Sequence, residues 1–142
     1  MRVEVGSRVS GSPRPQRVRA LLARVARGMR EARVRGLGSG VEVSILFCGD
    51  RAIRTLNRRY RGIDRPTDVL AFPAQGGGLL GDVVVSVPYA GRQARRRGES
   101  RAREIDRLLL HGVLHLAGYD HEADDGEMDR LEAALRRRLG LV

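Results

Sequence analysis

Three histidines lie close together in His111-Gly-Val-Leu-His115-Leu-Ala-Gly-Tyr-Asp-His121, and the chain has no others. His111 and His115 are four residues apart, so they would project from the same face of one helix. Gly118 can end that helix in the left-handed conformation, and the following turn could bring His121 back. Three imidazoles can hold one catalytic zinc ion and leave its fourth position open. The spacing favours such a Zn²⁺ site over unrelated core and surface histidines.

The residue after the first histidine bears on the class of chemistry. The spacing also matches the zinc-peptidase motif H-E-x-x-H-x-x-G-x-x-H, whose Glu is the general base. Gly112 occupies that position here and cannot transfer a proton. Peptide hydrolysis by the usual route is therefore disfavoured. We expect Gly112 to leave space for a bulky substrate or for a closely packed strand.

Acidic residues near the third histidine are candidate partners for a ligand N–H group. The alternative is that they favour the start of the next helix through its dipole, which applies most strongly to the last three. These acids are Asp120, Glu122, Asp124 and Asp125.

The composition is that of a basic protein. The chain has 142 residues and a net charge of +10, and all 27 basic residues are Arg. Such a charge is typical of proteins that bind a polyanion such as RNA, and Arg can hold phosphate with two parallel hydrogen bonds. A bias in genome composition explains the lack of Lys equally well. The charge is uneven, with ten Arg against two acids in residues 1–40 and four Arg against seven acids in residues 111–142.

Cysteine content and hydropathy exclude several classes of protein. Cys48 is the only cysteine, so internal disulfides and multi-cysteine zinc sites are excluded. No apolar run approaches the roughly 20 residues of a membrane span, and residues 1–5 lack the apolar stretch of a secretion signal. We therefore expect one soluble domain over residues 1–142, located in the cytoplasm and without a membrane partner.

The hydrophobic pattern predicts an α+β scaffold for the histidines. Apolar runs and alternations predict strands near residues 2–9, 41–47, 69–72 and 82–86. Helical spacing predicts helices near residues 15–35, 51–60, 88–97, 101–116 and 122–139. Asp50 and Ser100 are predicted N-caps, and glycines predict loops at 36–40 and 76–78. The expected fold is a small mixed four-stranded sheet covered by about five helices.

Two further motifs precede the histidines. One runs from Leu56-Asn57 through Tyr60-Arg61-Gly62 to Asp64-Arg-Pro-Thr-Asp-Val-Leu-Ala-Phe-Pro73, and the other is Leu80-Gly-Asp-Val83. With the histidine segment, in this order and over about residues 40–140, they resemble the signature of the YbeY-type bacterial endoribonucleases, also called rRNA maturation factors. Position 71 is often Ser in that family and is Ala here.

The resemblance implies a specific activity. Members of the family are single-domain α+β proteins described as single-strand-specific, metal-dependent endoribonucleases, with the three histidines on an ion usually assigned as zinc. They are linked to maturation of the 3′ end of 16S rRNA and to quality control of the small subunit and the 70S ribosome. The Arg that matches Arg61 is the family's other functional residue. The resemblance thus implies rRNA, the small ribosomal subunit and its proteins as partners.

Phosphodiester hydrolysis suits these residue types. A metal ion can lower the pKa of water to about 7 and polarise a P–O bond. Arg61 could hold the non-bridging oxygens with paired hydrogen bonds, although without the resemblance it would be one surface Arg among 27. The nucleophile is left open between water and the 2′-hydroxyl of the substrate, and so are the physiological metal and the oligomeric state.

Two other functions remain as alternatives. A ribosome-assembly factor could bind RNA or ribosomal proteins without cutting, with the metal only organising the last two helices. The lack of an evident general base keeps this hypothesis open. A metallopeptidase is the third hypothesis, and Gly112 argues against it.

Overall fold

The computed structural model describes residues 1–34, 40–76, 78–120 and 122–141. The predicted ligand His121 and most of the predicted loop at 36–40 lie outside these residues. The four strands are β1 (Arg2–Ser7), β2 (Glu42–Cys48), β3 (Val69–Pro73) and β4 (Leu79–Ser86). The five helices are α1 (Pro15–Glu31), α2 (Asp50–Arg61), α3 (Val87–Arg97), α4 (Arg101–Leu116) and α5 (Glu127–Leu139). Within the described part of the chain, no helix is long and apolar enough to cross a membrane.

The sheet is mixed and has the strand order β1-β2-β4-β3. β1 pairs with β2 and β2 with β4 in parallel, whereas β3 runs antiparallel to β4. β4 is paired on both sides, and Val83, Val84 and Val85 are all buried, which accounts for its continuous apolar run. The prediction of an α+β fold with a mixed four-stranded sheet and about five helices is confirmed.

The main hydrophobic core lies between one face of the sheet and helices α1, α4 and α5. β2 and β4 direct alternate side chains into it, among them Ile45 and Val83. α4 contributes Leu109 and Val113, both fully buried, so the helix that carries the histidines is anchored in the core. α2 packs on the opposite face of the sheet through a smaller cluster around Ile53.

The start of α2 differs from the prediction. Gly49 is the N-cap, and Asp50, the predicted cap, is the first helical residue. The Asp50 carboxylate instead accepts hydrogen bonds from the Ser86 hydroxyl at 2.8 Å and the Arg92 guanidinium at 2.6 Å. These longer-range partners compete with the local cap, because a carboxylate favours charged donors. The predicted cap of α4 is confirmed, since Ser100 accepts a hydrogen bond from the backbone N–H of Arg103.

The last helix begins at Glu127, later than the predicted residue 122. The Asp124 carboxylate accepts hydrogen bonds from the backbone N–H groups of Gly126 and Met128. Gly126 has a φ of +82°, outside the helical region. These side-chain bonds hold residues 122–126 in turns, as Asp side chains do when they compete with helical hydrogen bonding.

Candidate active site

Two of the three predicted metal ligands meet at the end of α4. His111 and His115 lie one turn apart, and their Nε2 atoms are 3.1 Å from each other. Two nitrogens bound to one tetrahedral zinc ion at about 2.0–2.1 Å would lie about 3.3 Å apart. The separation of this pair therefore fits two ligands of one ion. Among the described residues, no group of three or more His, Cys, Asp and Glu side chains is arranged to hold an ion, and His121 is not among them.

Arg61 shares a groove with these two histidines. The groove has a volume of about 530 Å³ and lies between the end of α2, strand β3 and the segment after α4. Arg61 is exposed and is the last residue of α2, and Gly62 caps the helix with a φ of +71°. Other polar side chains that line the groove belong to Asp68, Tyr119, Asp120 and Glu122. A cationic guanidinium, two imidazoles and several carboxylates thus face one space.

Side chains of the motif that runs from Leu56 to Pro73 hold the segment between α2 and β3. Asn57 is almost fully buried, and its amide donates a hydrogen bond of 3.0 Å to the carbonyl of Arg65. The carboxylate of Asp68 accepts hydrogen bonds from the Gln93 amide at 3.0 Å and from the backbone N–H of Val69 at 2.7 Å. These bonds fix the path of the chain from Arg61 to the start of β3. The motif therefore positions one wall of the groove.

A carboxylate from α5 contacts the first histidine. Glu132 Oε1 lies 2.5 Å from His111 Nδ1, and Glu132 Oε2 lies 2.9 Å from the guanidinium of Arg136. Burial raises the pKa of the Glu132 carboxyl, but the hydrogen bond and charge of His111, together with Arg136, outweigh burial and hold the pKa below its usual value. Glu132 is therefore a carboxylate at neutral pH.

The sequence did not single out Glu132 as a partner of a histidine. Of the four predicted acids, Asp120 accepts a hydrogen bond from the backbone N–H of Glu122, and Asp124 holds the turn before α5. A signal was present, because Glu132 stands at helical spacing among Met128, Leu135 and Leu139, which are buried. An acid in the apolar stripe of an amphipathic helix indicates a buried polar partner.

Gly112 allows close packing of α4 against the sheet. A Cβ atom added at this position would lie 2.7 Å from Cγ1 and 3.1 Å from Cγ2 of Val83 on β4. Of the two expected roles, the structure supports the closely packed strand. The same contact sets how near the flanking histidines stand to β3, since Val83 pairs with Ala71 across the β3–β4 ladder.

Comparison with a family model and with known proteins shows the family to which the chain belongs. The family model described as "Endoribonuclease YbeY" matches residues 14–140. A protein named endoribonuclease YbeY from Anaeromyxobacter sp. (strain Fw109-5) is 50% identical over 127 residues, which are 84% of this chain and 66% of the relative. Its counterpart from Pelotomaculum thermopropionicum is 44% identical over 133 residues, with 86% of each chain covered.

A solved structure shares the fold. The solution structure of TM1509 from Thermotoga maritima superposes with a TM-score of 0.67 at 28% sequence identity, covering 96% of this chain and 88% of that one. The family predicted from the three sequence motifs is confirmed. The chain belongs to the endoribonuclease YbeY family.

Proposed function

We propose that the protein is a single-strand-specific endoribonuclease that uses one Zn²⁺ ion held by His111, His115 and His121. The observation that carries the proposal is that Arg61 and two of these histidines line the same groove. The separation of the His111 and His115 Nε2 atoms, 3.1 Å, fits two donors to one ion. The names of the relatives supply the reaction class, cleavage within an RNA chain.

Each side chain has a definable task in phosphodiester hydrolysis. The chemistry that a zinc ion supplies when bound is activation of water and neutralisation of negative charge on a phosphoryl group. Arg61 would hold the non-bridging oxygens of the scissile phosphate and would stabilise the charge that develops on them. Because Arg61 and the two histidines line the same groove, the guanidinium and the bound ion would act on one phosphate.

A single strand is the form of RNA that suits this groove. A space of about 530 Å³ is too small for a duplex, whereas an unpaired strand can place one phosphate deep in a cleft. The net charge of +10 would strengthen binding of the RNA backbone. We extend the proposal, on the family resemblance, to the 3′ end of 16S rRNA as substrate, to the small ribosomal subunit and its proteins as partners, and to the cytoplasm as location.

The proposal is tested by cleavage of an end-labelled single-stranded RNA and of the matching duplex. Zinc-loaded wild-type protein should cut the single strand, and His115→Ala should lose the activity. Arg61→Ala should reduce the cleavage rate about 10²- to 10³-fold, as expected for loss of one donor to a developing oxyanion. Arg51→Ala is the matched control, because it removes the same charge from the same helix about 15 Å along the axis.

Each outcome of this assay has a distinct meaning. Equal cleavage by wild-type protein and His115→Ala would indicate a contaminating nuclease and refute the proposal. RNA binding without cleavage would favour the non-catalytic assembly factor instead. A 2′,3′-cyclic phosphate on the product would identify the 2′-hydroxyl as nucleophile, whereas a 3′-hydroxyl end paired with a 5′-phosphate end would identify water.

A further inference from the structure

We infer that Glu132 is a positioning residue that fixes the tautomer and the ring orientation of His111, and that Arg136 holds Glu132 in place. This inference rests on the proposed function for its consequence in metal binding. It concerns α5, which contributes none of the three proposed ligands and none of the residues that line the groove.

Glu132 contacts His111 with one carboxylate oxygen and Arg136 with the other. His111 Nε2 is directed at His115, while His111 Nδ1 lies 2.5 Å from Glu132 Oε1. Glu132 Oε2 is 2.9 Å from Arg136 Nη2, one turn further along α5. The Glu132 side chain is only 13% exposed, so water competes poorly for its oxygens. Both carboxylate oxygens are therefore held, one by each partner.

The contact with Glu132 determines which nitrogen of a neutral His111 ring carries the proton. Such a ring carries its proton on one nitrogen and a lone pair on the other. A carboxylate beside Nδ1 accepts a hydrogen bond from an Nδ1–H group, so the proton stays on Nδ1 and the lone pair lies on Nε2, the atom that faces His115. Carboxylates that hold the distal nitrogen of a metal-bound histidine raise its basicity and orient the ring. Glu132 would thus fix the tautomer and the ring orientation of His111 in the metal-free protein.

The experiment compares zinc affinity and the His111 tautomer in full-length variants. Zinc affinity is measured by competition with a chromophoric chelator, and the tautomer by ¹⁵N NMR of metal-free protein at a pH where the imidazoles are neutral. Glu132→Ala should weaken zinc binding about 10- to 100-fold and release the Nδ1–H preference. Glu132→Gln keeps an oxygen that can accept the hydrogen bond, so it should retain the tautomer and lose less affinity. Asp129→Asn on the same helix is the charge-matched control.

The outcomes separate this inference from the proposed function. If wild-type protein binds zinc and Glu132→Ala binds it equally well with an unchanged tautomer, Glu132 does not position His111 and the inference is overturned. If wild-type protein fails to bind zinc, the proposed function is refuted, while the tautomer measurement still decides whether Glu132 fixes the ring. Thermal unfolding of each metal-free variant shows whether a loss of zinc affinity comes from misfolding. If Glu132→Ala is misfolded, the tautomer and zinc affinity of Glu132→Gln, which keeps the side-chain volume, decide whether Glu132 positions His111.

Discussion

Replacing Gly112 with Ala tests whether close packing of α4 on the sheet sets the position of the site. The new Cβ would lie 2.7 Å from Val83 Cγ1, whereas packed carbon atoms prefer about 3.5–4.0 Å. Val83 is fully buried and β-branched, so its methyl groups cannot rotate into free space. The clash must instead move the helix away from β4, and the flanking histidines would move with it.

The expected magnitude follows from two opposing terms. Ala is favoured over Gly in a helix interior by about 1 kcal/mol. Overpacking of a well-packed core costs about 1–3 kcal/mol. Gly112→Ala should therefore destabilise the protein by up to about 2 kcal/mol, and any shift of the ligands should lower the rate of RNA cleavage as well.

A second helical glycine provides the control. A Cβ at Gly91 on α3 would lie 3.4 Å from Arg101 Cδ, the flexible part of a long side chain. Gly91→Ala should therefore stabilise the protein by up to about 1 kcal/mol. Urea unfolding should show that the free energies of unfolding of the two variants differ by about 1–3 kcal/mol, which is the cost expected for overpacking.

The double variant Gly112→Ala/Val83→Ala identifies the cause. Because Val83→Ala removes the two methyl groups that clash, the two substitutions should show a favourable coupling energy. If Gly112→Ala is as stable as Gly91→Ala, or if the coupling is absent, the contact with Val83 does not explain the glycine.

Three further predictions concern other parts of the fold. Gly81 has a φ of +145°, and a Cβ there would strike the Phe72 carbonyl, so Gly81→Ala should cost about 2–5 kcal/mol in urea unfolding. Burial raises the pKa of the Cys48 thiol, so native protein should react with Ellman's reagent far more slowly than unfolded protein. The hydrogen bond from Arg107 lowers the pKa of Glu99, so Glu99→Gln should be less stable than wild type at pH 7, with the gap closing as the pH falls below about 4.5.

Each of these has a contrasting case. Gly6→Ala in β1 places a Cβ 3.6 Å from Leu46 Cδ1, an ordinary contact, and should be tolerated; equal loss at Gly6 and Gly81 would contradict the strain argument. Rapid labelling of Cys48 in folded protein would show that the thiol is accessible. A stability gap for Glu99→Gln that does not narrow at all as the pH falls from 7 to below 4.5 would exclude the charge pair as its cause, because the lowered pKa stabilises only the ionised form.

The sequence allowed the elements and the family to be predicted because both depend on local pattern. Alternating residues gave β2, helical spacing gave α1, and Ser100 marked the start of α4 through a bond to a residue three positions later. Arg61 followed from the resemblance alone, because an exposed Arg among 27 carries no local signal. Its place in the groove with the histidines depends on the packing of α2, β3 and α4.

The contacts that the sequence did not reveal join residues far apart in the chain. Glu132 is 21 positions from His111, so their contact requires the angle at which α5 crosses α4. Asp50 was predicted to cap its own helix, but Ser86, 36 positions away, binds its carboxylate instead. The sequence allowed Gly112 either to leave space for a substrate or to permit close packing of a strand, and the structure shows Val83 packed against it. In each case tertiary packing chose among contacts that local pattern allowed.

The most direct test of the central claim is the rate of single-stranded RNA cleavage as zinc is titrated into metal-free protein. Cleavage should be negligible without metal, and the rate should rise to a plateau at one equivalent of zinc per chain. His111→Ala and His115→Ala should stay near the metal-free rate at the same zinc concentrations. Cleavage by the metal-free protein at the full rate, or a rate that zinc does not change, would contradict the claim that these histidines hold the catalytic ion.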